Sequence, residues 1–127
     1  KWSVRSEAAG YPSMDSKDIR VLKKLLQHTD AIMRYCQNCK QLADFEADSM
    51  RVEATVFNLM QIGELAKTSL SDDTKEQIIS IPWRQIYGMR NRIVHGYDGV
   101  NMLIVWETVS EDIPQLNREL AKILGTL

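Results

Sequence analysis

The sequence predicts an all-α domain, a bundle of four to five helices running up and down, and three observations carry that prediction. Apolar residues recur every three to four positions over most of the chain. Helix-start signals, Ser or Asp ahead of acidic residues, and helix-stop signals, Gly and Pro, fall between the periodic runs. The one stretch with strand propensity, Val100 to Trp106, has no second such run to pair with, and an isolated strand is not stable.

Size and composition narrow the class further. A chain of 127 residues suits one domain with a real core, whereas two domains would each bury little surface. At 44% hydrophobic and 26% charged it has the balance of a folded protein, not a disordered one. A charge interrupts every apolar run well short of the roughly 18 residues of a membrane span, so no membrane role is expected. Residues 1–13 lack helical periodicity and precede Met14-Asp-Ser-Lys; they are expected to be vector-derived or disordered, with the domain occupying 14–127. Leaving out Lys1, Arg5 and Glu7, two cations and one anion, moves the formal charge from −1 to −2. Such a domain has no global field for nucleic acid, so RNA binding requires a local patch, for which Arg84, Arg90 and Arg92 are the candidates. Cys36 and Cys39, with no secretory signal, point to a reduced, cytoplasmic setting and to ordinary thiols: further zinc ligands are not close in sequence, and the pair falls at the end of a helical pattern.

The elements follow in order. Asp15 or Ser16 caps a first helix whose stripe from Ile19 through Leu22, Thr29 and Cys36 ends near Asn38. A polar turn over 37–41 leads to a second helix, about Asp44 to Thr68, apolar on more than one face and therefore packed from several sides or across a dimer contact. Gly63 in its interior costs about 1 kcal/mol relative to Ala, a cost that close approach of another backbone would offset. Ser71-Asp72-Asp73 starts a short helix through Ile79. Pro82 opens the next, carrying Trp83, Ile86, Tyr87, Met89, Arg90, Ile93 and Val94, which His95-Gly96 should close. Helical spacing resumes from Leu103 and runs to the C-terminus, with a kink or a fresh start at Pro114.

The segment Arg90-Asn91-Arg92-Ile93-Val94-His95-Gly96-Tyr97 concentrates polar side chains at the end of an apolar helix. Arg90 and His95 lie about 140° apart around such a helix and about 7.5 Å apart along it, so their long side chains can meet at a phosphate beside the helix end. A neutral imidazole can take the proton of an RNA 2′-hydroxyl while a guanidinium holds the phosphate and offsets developing charge. The products would be a 2′,3′-cyclic phosphate and a 5′-hydroxyl; no metal or cofactor is called for. Asn91 would orient His95 or hold a phosphate oxygen, and Arg92 would add to the positive field. The plain alternative is that Arg90 bridges to a carboxylate and His95 caps the helix end. Tyr97 has its own plain alternative, packing over the helix end. Trp83, Trp106 and the methionines read as core or interface filling.

The stretch Ile81-Pro-Trp-Arg-Gln-Ile-Tyr-Gly-Met-Arg-Asn-Arg-Ile-Val-His-Gly-Tyr-Asp-Gly99, with Gln61-Ile-Gly-Glu-Leu-Ala66 before it and Val105-Trp-Glu-Thr-Val109 and Glu111-Asp-Ile-Pro114 after it, resembles the HepT-like toxins of the HEPN superfamily. The resemblance spans residues 14–127. It implies a HEPN-like helical bundle, a homodimer that brings two motifs to one cleft, and RNA as substrate. It makes Arg90 and His95 the catalytic pair, Asn91 the polar residue after the arginine, and Tyr97 the tyrosine to which an MntA-like minimal nucleotidyltransferase antitoxin transfers AMP in a type VII-like toxin–antitoxin system. Glu64 falls in a matched motif, either tethering Arg90 near the cleft or serving subunit packing; facing the bundle, it requires a cationic or amide partner. The competing functional class is a non-catalytic helical module that binds the nucleotidyltransferase, favoured by the acidic net charge.

Overall fold

The structure, a computed structural model, describes residues 2–4, 14–95 and 101–127, without the side chains of 93–95. Among the described residues every regular element is helical: α1 Ser16–Tyr35, α2 Leu42–Glu46, α3 Ser49–Glu64, α4 Asp72–Gln77, α5 Trp83–His95, α6 Met102–Glu107 and α7 Ile113–Gly125. The all-α prediction holds, and the strand-like Val105 lies inside a helix. α3 packs along α5, α1 lies against both α3 and α7, and α2 touches α6. Leu22, Ile32, Phe45, Ile62, Ile113 and Leu120 form the centre of a continuous core.

Local chemistry sets the helix ends. The Asp15 carboxylate accepts the backbone N–H of Asp18 at 2.9 Å, capping α1. The helix expected from Asp44 to Thr68 is divided, because Asp48 accepts from the N–H groups of Met50 and Arg51 at 3.0 and 3.3 Å and so caps a new helix. Arg51 then reaches back to the carbonyls of Tyr35 and Asp44, each at 2.9 Å, joining the ends of α1 and α2. α3 ends in a widened π-turn over Leu65–Ser69. A second π-turn, Thr108–Asp112, joins α6 to α7 immediately before Pro114. Proline cannot donate the backbone bond a regular turn requires, and a widened turn ahead of it lets the chain continue as helix instead of breaking.

Of the segment expected to lie outside the domain, Trp2 is described, and it packs on it: Trp2 is buried and its backbone N–H donates to the buried Asp112 carboxylate at 3.3 Å. The aromatic and thiol expectations take physical form as well. Trp106 stacks on Phe45 with ring centroids 5.7 Å apart, and the Trp83 indole donates to the Ile78 carbonyl at 3.0 Å. Met33 and Met50, by contrast, face solvent. Cys36 and Cys39 are free thiols. Burial pushes the Cys36 thiol up despite its contact with Thr55, and a thiol kept protonated is a poor nucleophile.

The start of α1 is tied to α4 by a buried carboxylate. Asp18, 2% exposed, accepts from the Ser71 N–H at 3.1 Å, the Ser71 hydroxyl at 2.6 Å and the Thr74 hydroxyl at 2.5 Å. Burial alone would raise its pKa; the bonds from Ser71 and Thr74 outweigh it and hold the carboxyl below its ordinary value. A lowered folded-state pKa stabilises the fold fully above the ordinary carboxyl range, and that contribution disappears as pH falls through the folded value. Asp18→Asn is therefore expected to lose about 1–3 kcal/mol at neutral pH, with the gap from wild type narrowing below about pH 4. Denaturant unfolding at both pH values checks this; a gap that does not change with pH would refute it.

Candidate functional site

The site is built where α3 crosses α5. Gly63 is buried in α3, and a Cβ placed on it would land on the Arg90 Cβ, 2.5 Å from Arg90 Cγ and 3.3 Å from its Cα. The glycine thus marks the close backbone approach anticipated from its cost in a helix interior. Glu64, the next residue, uses that proximity: its carboxylate Oε2 lies 2.6 Å from Arg90 Nη2, with the Arg90 side chain 22% and the Glu64 side chain 43% exposed. Arg90 is therefore held on the α3 side of α5 but still reaches solvent.

Two further side chains complete the surroundings. The Arg90 guanidinium stands 5.5 Å from the centroid of the Tyr87 ring, one turn earlier on α5, and the Lys67 ammonium stands 4.8 Å from the same centroid. Both distances lie within the range of cation–π attraction. Lys67 comes from the π-turn that ends α3. The sequence pattern places Tyr87 on this helix without giving it a role, and it does not mark Lys67. Tyr87 was legible in principle as the residue three before Arg90 on one helix, whereas the position of Lys67 depends on a helix contact that a single sequence does not display.

The expected arginine cluster does not form one patch. Arg90 faces α3, while Arg92, about 200° around the helix, lines a cavity of about 410 Å³ on the α6 side together with Trp2, Gly88, Ile104 and Asp112. Arg84 and Asn91 are exposed. His95 lies on α5, but its side chain lies outside the described residues, and so do Tyr97 entirely and the helix close expected at His95-Gly96. Among the described residues no group of three or more His, Cys, Asp or Glu is placed to hold a metal ion, and no helix is long and apolar enough to cross a membrane.

Comparison with known proteins adds what geometry cannot. Residues 25–123 match the family model described as Ribonuclease HepT-like. A protein named "Putative RNase" from Caldanaerobacter subterraneus subsp. tengcongensis is 34% identical over 103 residues, which is 81% of this chain and 90% of the relative. Another of that name from Methanocaldococcus jannaschii is 33% identical over 112 residues, 87% of this chain and 91% of the relative. A "Probable ribonuclease HepT" from Thermococcus cleftensis is 38% identical over 80 residues, 63% of this chain and 72% of the relative. No solved structure matches the chain. The chain belongs to the HepT-like family.

The α3–α5 contact yields a test that separates helix propensity from packing. Alanine is a better helix former than glycine by about 1 kcal/mol, so Gly63→Ala would stabilise a free helix. Here its methyl group collides with the Arg90 side chain near the backbone, and overpacking of this kind costs about 1–3 kcal/mol. The variant is expected to melt below wild type; a raised melting temperature would mean that the helices do not approach so closely.

Proposed function

We propose that the protein is a metal-independent endoribonuclease that cuts RNA with its own 2′-hydroxyl, leaving 2′,3′-cyclic phosphate and 5′-hydroxyl ends, and that it is the toxin of a type VII-like toxin–antitoxin pair acting in the cytoplasm. The observation that carries this reading is Arg90, partly exposed and oriented by Glu64, on the helix that ends at His95. In this reading Arg90 binds the scissile phosphate and His95 removes the 2′ proton. Asn91 and Arg92 support phosphate binding, and Glu64 orients the arginine. Membership of the HepT-like family and relatives named as RNases support the same chemistry.

The partner is an MntA-like minimal nucleotidyltransferase that transfers AMP from ATP to the Tyr97 hydroxyl, with pyrophosphate leaving and the phenol proton released, placing a phosphate and a bulky nucleoside two residues from His95. Anionic charge there would compete with an RNA phosphate. Unmodified wild-type protein, incubated with total cellular RNA and a chelator, should cleave it; Arg90→Ala and His95→Ala should each be slower by about 10²–10⁴-fold. Equal cleavage by all three, or none by wild type, would overturn the nuclease reading, and a stable partner complex without cleavage would favour an interaction module instead. Intact mass of the co-expressed chain should show the gain of AMP less water, abolished in Tyr97→Phe.

We also propose a homodimer. Met50 and Phe57 are 76% and 57% exposed and lie seven residues apart on α3, with Glu64 seven residues beyond. An apolar strip on one helix face that runs toward Glu64 is suited to a second copy, which would bring two sites into one cleft. Sedimentation should find a dimer for wild type and a monomer for Phe57→Glu. A wild-type monomer at working concentration would rule the dimer out.

A further inference from the structure

Lys67 follows Glu64 by three residues, a spacing at which opposite charges on a helix ordinarily pair. They do not pair here. The Glu64 carboxylate turns to Arg90, and the Lys67 ammonium stands over the Tyr87 ring. Lys75 makes the contrast clear, since its ammonium serves the fold directly by donating to the Ala66 carbonyl at 3.0 Å and lying 3.6 Å from Asp72. Lys67 has no such structural duty: it is exposed, and among the described residues its one interaction is with the aromatic face.

Charge decides what that ammonium does. Glu64 and Arg90 together are neutral, so a phosphate arriving at Arg90 meets a carboxylate 2.6 Å from the guanidinium. Adding Lys67 makes the group cationic by one charge, enough to match one phosphodiester. The Tyr87 ring holds both cations within about 6 Å of its centroid without neutralising either, because a quadrupole attracts a cation but carries no net charge.

We infer that Lys67 is the second cation of the RNA site: its ammonium offsets Glu64 and joins Arg90 in holding the RNA backbone, with Tyr87 as the positioning residue. This rests on the reading of the chain as an RNA-cleaving enzyme. It names a subsite on α3 for an extended single strand, in addition to the groups that carry the chemistry.

Binding of a 2′-O-methylated RNA oligonucleotide, which lacks the attacking hydroxyl, tests the inference without cleavage. Each phosphate neutralised on a single strand contributes about 0.7 to the slope of log affinity against log salt. Lys67→Met should lower the magnitude of that slope by about this amount, Lys67→Arg should restore it, and Lys122→Met, on α7, should leave it unchanged. Tyr87→Leu should bind about two- to five-fold more weakly, with Tyr87→Phe like wild type. An unaltered slope in Lys67→Met, or an equal fall in Lys122→Met, overturns the subsite while leaving the nuclease reading intact. Wild-type affinity for Tyr87→Leu removes the positioning role of Tyr87. Failure of wild-type protein to bind the oligonucleotide at low salt overturns both the subsite and the RNA-cleaving reading on which it rests.

Discussion

The contact between Gly63 and Arg90 is the constraint on which the site depends. A missing side chain on α3 lets the backbone of α5 come close enough that the next residue, Glu64, meets the guanidinium directly. Distance is set by one residue and charge by its neighbour, so the Gly-Glu pair acts as a unit. Were the helices separated by one more methyl layer, Glu64 would need to extend farther into solvent to reach Arg90, losing side-chain entropy for a weaker pair.

Much of the remaining fold keeps that crossing in place. The connection from α3 to α5 passes through α4, and α4 is fastened on several sides: by Asp18 through Ser71 and Thr74, by Lys75 to the Ala66 carbonyl in the π-turn, and by the Trp83 indole to Ile78. Ser80, buried just before α5, donates to the buried Glu119 carboxylate of α7 at 2.9 Å. Each bond satisfies a polar group that burial would otherwise penalise. Collectively they fix where α3 ends and where α5 begins, which sets the register of Glu64 and Lys67 against Arg90 and Tyr87. These polar bonds act beside apolar anchors on the same connection, the buried Leu70, Ile78 and Ile81.

Helical periodicity made the bundle legible, along with the first cap, the turn after α1 and the proline-started α5. Gly63 was legible for the same reason: a costly residue in a helix interior requires a neighbour. The division of the predicted second helix was not, because Asp48 reads as an ordinary helix residue until its carboxylate is seen on two backbone N–H groups. At Pro114 the fresh start was legible, since α7 begins at Ile113 with the proline in its first turn, whereas the π-turn that carries α6 into it was not. Arg84, Arg90 and Arg92 look like one basic patch along the sequence, yet two residues turn a helix through more than half a circle, and Arg92 lines a cavity on the α6 side while Arg90 is held against α3. Lys67 and Tyr87 come together through tertiary contact, so composition and spacing gave no reason to connect them.

The ion pair at Arg90 bears on whether this arginine can also serve a ligand. A guanidinium offers five N–H donors in a planar fork, and a single carboxylate leaves some of them unused. Glu64 thereby fixes the orientation of the fork without filling it. Because both partners remain in contact with water, exchanging part of the pair for a phosphate does not strand a bare charge in the interior, the event that makes breaking a buried pair so costly. A fully buried Glu64–Arg90 pair would have been a structural fastening; a half-exposed pair provides orientation while keeping the arginine exchangeable, which is the combination a phosphate site requires.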